Sequence, residues 1–195
     1  MQKIVLTGGP CAGKTTILAA VADHFGNQVG FVPEVATMLL SGGWPMPGRD
    51  IEWTPEWRDA FQRAVAATQI ELEEAYTLHA QQHGQLILVT DRGLMDGAAY
   101  HETTDAFLES TGLDSDAALL RYDVVIHLES LAVAQASLYS QGNNASRFES
   151  LEEAAQLEAA TRRAWSGHAR HLIVGGADLE HKLRATIEII EQDLQ

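Results

Sequence analysis

An α/β fold built on a five-stranded parallel sheet sandwiched by helices is predicted by three observations. Five short aliphatic runs recur along the chain, each separated from the next by helix-patterned sequence, an alternation that argues parallel strands wrapped by helices. The first run leads through a glycine-rich turn straight into a helical stretch, and two later helices carry their own start signals.

In order, strand-like runs lie at Lys3 to Leu6, Gly30 to Val32, Leu86 to Thr90, Val124 to Leu128 and Leu172 to Val174. A helix is predicted from Lys14 to Phe25, and a shorter one runs through Leu40. A long helix opens with Thr54 as N-cap and Pro55 at the first helical position, presents Trp57, Phe61, Val65, Leu72 and Tyr76 as its apolar stripe, and ends at Gly84. Ser150 and Glu153 form a capping box for a helix running to about Ser166 and stopping at Gly167. The last helix starts at Asp178 and carries Leu179, Leu183, Ile187, Ile190 and Leu194 as core contacts. Ser41 to Ile51, rich in Gly and Pro, and the polar Ser140 to Phe148 read as loops. With 195 residues, no repeat and no linker, the whole of 1–195 is expected to form one domain.

The turn after the first strand, Gly8-Gly9-Pro10-Cys11-Ala12-Gly13-Lys14-Thr15, fits the phosphate-cradling P-loop pattern in its required strand–loop–helix setting. Its glycines let several backbone N–H groups surround one anion, and the helix start adds a positive dipole end. Lys14 is expected on the β- and γ-phosphates and the Thr15 hydroxyl on Mg²⁺, with Thr16 a helix residue at the edge of the nucleotide site. Cys11 sits where helix N-termini lower thiol pKa values, although a small side chain is all the loop requires there.

Ligands of parallel sheets sit at the carboxyl ends of the strands, so the residues there are the next candidates. Asp91 follows the third run in the position of a carboxylate that holds Mg²⁺ directly or through water; its rival reading is a helix cap. Arg92 beside it either stabilises a transferring phosphoryl group or forms a surface ion pair. Mechanical AAA-type ATPases usually place Glu after this Asp, whereas Asp-Arg resembles nucleoside and nucleotide kinases. Glu34 ends the second run where deoxynucleoside-kinase-like enzymes place the carboxylate that takes the acceptor hydroxyl's proton; otherwise it merely favours a helix dipole. Phe61 and Gln62 would overlook the acceptor and could bind a planar ring, or belong to the core. Arg147, in the second loop, is a candidate lid residue over the phosphates or a solvated loop Arg. His168 and His171 have no companions at zinc-ligand spacing, and the guanine-selecting Asn-Lys-x-Asp pattern is absent, leaving ATP or GTP as the nucleotide.

Composition narrows the partners. Thirteen Lys plus Arg against 27 Asp plus Glu give a net charge of −14, which opposes nucleic acid and anionic membrane surfaces and favours small molecules. A lone cysteine excludes an internal disulfide, and the first residues lack a signal-peptide pattern, so a cytoplasmic location is expected.

The combination of GGPCAGKTT (8–16), PEVATMLLSG (33–42), DRGLMD (91–96) and RYDVVIH (121–127) resembles the NadR/translocation-defect type of AAA domain over nearly the whole chain. Such kinase-like P-loop NTPase domains occur in the C-terminal half of the ribosylnicotinamide kinase NadR and at the N-terminus of an animal protein of photoreceptor channel trafficking. The resemblance implies a five-stranded parallel sheet, Mg-nucleotide binding at Gly8 to Thr15 and Asp91, and phosphoryl transfer. A stand-alone module without the adenylyltransferase half of NadR is expected, and its acidity argues against phosphoinositide binding. The expected activity is a kinase-like transfer from MgATP or MgGTP to a small hydroxyl-bearing metabolite such as a nucleoside. The alternative is a slowly hydrolysing nucleotide switch that acts on a protein partner.

Overall fold

The computed structural model describes residues 1–134, 150–176 and 178–194. The strands are β1 (Gln2–Thr7), β2 (Val29–Val32), β3 (Ile87–Asp91), β4 (Val124–Leu128) and β5 (His171–Val174). The helices are α1 (Lys14–Phe25), α2 (Val35–Ser41), α3 (Pro55–Gln82), α4 (Thr104–Thr111), α5 (Ser115–Leu120), α6 (Leu131–Ala134), α7 (Leu151–Ala164) and α8 (Leu179–Asp193), with a 3-10 segment at Leu94–Tyr100.

All strand pairs are parallel, in the order β2-β3-β1-β4-β5. The five-stranded α/β fold is therefore the one the sequence predicts. Burial is continuous over Ile4–Thr7 of β1, Ile87–Thr90 of β3 and all of β4, as a sheet covered on both faces requires, with successive side chains entering opposite layers. Ile4 and Leu6 of β1 and Val124, Ile126 and Leu128 of β4 pack on one side with Ile17, Val21 and Phe25 of α1 and Ile190 of α8. Val5 and Val125 pack on the other with Ala66 of α3, Leu94, Met95, Phe107 and Trp165. Each large apolar side chain taken fully from water contributes about 1.5–3 kcal/mol, and Trp165 and Ile17 are both fully buried.

The order places β1 between β3 and β4, so the chain leaves β1 toward one side of the sheet and later continues on the other. The carboxyl end of β1 is thus the switch point where a parallel sheet opens a crevice. Register fixes what faces it: Leu6 pairs with Asp91 and Thr7 with His127.

Local chemistry explains the helix ends. Thr54 accepts from the amide of Trp57 at 3.2 Å, and Ser150 and Glu153 close a reciprocal capping box at 2.7 and 3.2 Å. α4 and α5 were not expected; each is a short helix opened by a capping side chain, Thr103 on Ala106 and Asp114 on Ala117.

Two apolar stripes differ from expectation. The buried face of α3 is Phe61, Gln62, Ala66, Gln69, Glu73 and Ala80, rotated from the predicted Val65, Leu72 and Tyr76. A polar network takes the place of hydrocarbon: fully buried Glu73 accepts from Arg121 Nε (2.5 Å), Tyr122 OH (2.7 Å) and Gln69 Nε2 (2.8 Å). On α8 the buried residues are Lys182, Thr186 and Ile190, while Leu179 is exposed. Leu183, Ile187 and Leu194 do pack against the core as expected.

Candidate functional site

Between β1 and α1 the chain must reverse tightly, and Gly8 makes this possible. Its φ is 139°, and a Cβ there would lie 2.2 Å from the carbonyl oxygen of Leu128, far inside contact distance. The loop returns through a turn closed by the Ala12 amide on Gly9 O at 3.3 Å, and Gly13 leads into α1. The first amides of a helix have no intrahelical partner, so those of Lys14, Thr15 and Thr16 at the start of α1 suit an anion. Thr15 and Thr16 are exposed, and Cys11 is half-buried with a left-handed φ of 60°. Pro10 O accepts from the Ser130 hydroxyl and Ala12 O from Lys182 Nζ at 3.4 Å, tying the loop to the end of β4 and to α8.

Lys14 folds back over this loop, donating from Nζ to Gly8 O at 2.8 Å and to Gly9 O at 3.4 Å. Burial, with Arg92 repelling it, lowers its pKa to about 8 despite the opposing pull of Asp91, Glu34 and Asp96. A cation parked on carbonyl oxygens can exchange them for stronger phosphate acceptors without moving its backbone.

β3 delivers Asp91 as its last residue, beside β1. Burial first, and Glu34 second, push its carboxyl up to about 6. Its Oδ1 is buried with no hydrogen-bond partner. An orphaned carboxylate oxygen of this kind fits a divalent cation, and Mg²⁺ needs few protein ligands where phosphates and water complete its shell. Thr15 and Asp91 therefore fit a Mg²⁺ site.

Arg92 holds the residues at the sheet's edge together. Its Nε donates to Glu34 Oε1 at 2.5 Å and its Nη1 to Asp96 Oδ1 at 3.1 Å, with Gly8 O 3.5 Å from Nη1. Although burial opposes the charged form, Tyr100, Asp96 and Glu34 hold the guanidinium charged, with its pKa raised further. Its backbone is left-handed at φ 69°. Non-glycine residues in that region cost about 1–3 kcal/mol and gather at functional sites.

Glu34, at the N-terminus of α2, accepts from Thr37 Oγ1 at 2.5 Å through its other oxygen. Burial would raise its pKa, but Arg92 and Thr37 hold it below the usual carboxylate value. Asp96 was noticed in the sequence only as a neighbour of Asp91. It is a buried hub that accepts from Thr7 Oγ1 (2.5 Å), the Gly93 amide (3.0 Å) and Trp165 Nε1 (3.1 Å) besides Arg92.

Gly8 to Thr16, Glu34, Asp91 and Arg92 thus converge at the carboxyl ends of β1, β2 and β3. Phe61 and Gln62 take a different setting. Both are 6% exposed; Phe61 stacks on Trp57 (centroids 5.0 Å, planes 16° apart) and tilts against Trp44 at 5.7 Å. Gln62 Oε1 packs close to Gly97 of the 3-10 segment. Arg147 lies outside the described residues. An open cavity of about 360 Å³ follows the sheet edge, walled by Leu18 and Ala22 of α1, Phe31, Val32, Pro33 and Tyr76, and reaches Asp91.

Among the described residues no helix is long and apolar enough to cross a membrane. No curated protein matches the chain. The family described as AAA domain matches residues 3–182, which include the P-loop, Glu34, Asp91, Arg92 and all of the sheet but its first residue, Gln2. The chain therefore belongs to the AAA domain family of nucleotide-binding P-loop NTPases.

Proposed function

We propose that this protein is a cytoplasmic, kinase-like phosphotransferase of the NadR type that transfers the γ-phosphoryl group of ATP or GTP to a small hydroxyl-bearing metabolite. The observation that carries this reading is the chain of contacts Glu34–Arg92–Asp96 beside Asp91 and Lys14. A second carboxylate stands next to the phosphate-binding groups, where a hydrolysing motor has no use for an acceptor-binding residue.

In this reading the acceptor hydroxyl attacks the γ-phosphorus, the bond to the β–γ bridging oxygen breaks, and the nucleoside diphosphate leaves. The hydroxyl's proton passes to Glu34. A carboxylate has about four lone-pair sites, so with Arg92 and Thr37 each taking one there is room left for the hydroxyl. Held below its usual pKa, Glu34 is an ionised carboxylate that both orients the hydroxyl and accepts its proton as the transition state forms. Lys14 and Arg92 neutralise charge on the transferring group, with Arg147 as the lid residue. Thr15 and Asp91 would hold Mg²⁺, which would supply further neutralisation of the phosphate charge. Phe61 and Gln62, buried away from the phosphate-binding groups, would support the acceptor side from behind, with Trp57 stacked on Phe61 and Trp44 tilted against it.

The test is a screen of nucleosides, ribosylated pyridines and other small alcohols with γ-labelled ATP and GTP. Label appearing on an acceptor, faster than basal release of phosphate, is the expected result. Phosphate release that no acceptor changes would instead indicate the switch that serves a protein partner.

A further inference from the structure

α7 is a helix of charged and small residues, yet one of its carboxylates is buried. Glu158 is 4% exposed, and its two oxygens are used separately. Oε2 accepts the amide of Gly9 at 2.7 Å, and Oε1 meets Nε2 of His127, a fully buried ring on β4, at 2.7 Å. The approach of α7 is close enough to dictate residue 9: a Cβ there would stand 2.6 Å from Oε2 and 3.0 Å from the Cα of Glu158. The P-loop pattern accepts any residue at this second position. The requirement for glycine therefore comes from α7 and not from phosphate.

A carboxylate behind an anion-binding loop opposes the anion through space, so it is a poor choice for mere packing. What it supplies is a strong, charge-assisted acceptor for one peptide of the loop. Burial alone would keep Glu158 protonated, but His127 and the Gly9 amide hold its pKa below the usual value, so the acceptor is ionised. Ser130 on Pro10 O and Lys182 on Ala12 O fix the next two contacts of the loop, and Glu158 fixes the first.

We propose that Glu158 is a positioning residue for the nucleotide site. Oriented by His127 and acting through Gly9, it holds the phosphate loop in the shape that receives a triphosphate, so nucleotide affinity depends on a side chain that touches no nucleotide. This rests on the reading of Gly8 to Thr15 as the Mg-nucleotide site.

The experiment is calorimetric titration of the full chain with MgATP and MgGTP, well below each variant's melting midpoint. Glu158→Ala should weaken binding about tenfold, the scale of one lost hydrogen bond to a charged group. Glu158→Gln should weaken binding less than Glu158→Ala, because its amide oxygen still accepts from Gly9 although the charge that strengthens the bond is gone. Gly9→Ala should weaken binding in the wild type but much less in the Glu158→Ala background, where the colliding oxygen is gone. A purely structural Glu158 would lower the melting midpoint of Glu158→Ala and leave affinity unchanged, which overturns the proposal. So would equal losses in Glu158→Ala and Glu158→Gln. If Glu158→Ala does not fold, unchanged affinity in Gly9→Ala overturns it instead. Wild-type protein that binds neither nucleotide removes the underlying site reading as well, whereas wild-type binding with unaffected variants removes only the positioning role.

Discussion

Acid and base should each silence this site for a different reason, and the two limbs identify the residues. Asp91, raised to about 6 by burial and Glu34, carries the charge that fits Mg²⁺ only above that pH. Lys14, lowered to about 8 by burial and Arg92, carries its phosphate-binding charge only below that pH. Both charges coexist between about 6 and 8, so kcat/KM for nucleotide, which reports the free protein's groups, should be bell-shaped across that window. One unit beyond either limb roughly a tenth of the maximum should remain. Other perturbed groups near the site do not blur the limbs: Glu34 and Glu158 are held below the usual carboxylate value, and His171 is lowered to about 4. The assay is phosphate release or transfer at constant ionic strength and saturating Mg²⁺, repeated for Lys14→Arg. Arginine keeps its charge throughout, so whatever activity survives should lose the alkaline limb. A flat profile from about pH 5 to 9, or an alkaline limb unchanged in Lys14→Arg, would refute the assignment.

Three further outcomes are expected. Lys14→Ala should weaken ATP and GTP binding about tenfold or more by calorimetry, through loss of a charged contact of about 1.5–3 kcal/mol. Asp91→Asn should reduce Mg²⁺-dependent affinity and turnover far more than metal-free nucleotide binding; equal losses with and without Mg²⁺ would make Asp91 a fold residue. Glu73→Ala, at the opposite end of the sheet, should cost about 1–3 kcal/mol in urea unfolding, because the buried Tyr122 hydroxyl and Gln69 amide lose their acceptor while Arg121 keeps Glu74, and affinity for nucleotide in the folded protein should stay unchanged.

The phosphate loop, the parallel sheet and the carboxylate that ends β3 were legible because each is a local signal. A glycine pattern between a strand and a helix, aliphatic runs at regular spacing, and a polar residue ending an apolar run can all be read within about ten residues. The supports of the site were not legible. Glu158 and Lys182 occupy buried helix faces where periodicity expects hydrocarbon, and what makes them tolerable is a partner 149 or 170 positions away, Gly9 for one and Ala12 for the other. The same reason displaced the stripe of α3, since Glu73 is buried only because Arg121 and Tyr122 reach it across the fold. Arg92 was visible as a residue type, but its left-handed backbone and its bridge between Glu34 and Asp96 depend on β2 lying beside β3. Buried polar residues with distant partners carry no period, so a single sequence shows them only as exceptions.

The central claim is that Glu34 serves an acceptor and not the nucleotide, and Glu34→Gln measures this most directly. Nucleotide affinity and acceptor phosphorylation are followed on the same protein, by calorimetry and by mass spectrometry of the acceptor. The account predicts MgATP or MgGTP binding within about threefold of wild type and transfer reduced about 10²- to 10⁴-fold, the range for loss of a positioned proton acceptor. Transfer at the wild-type rate in Glu34→Gln, or affinity and transfer falling by the same factor, would contradict it.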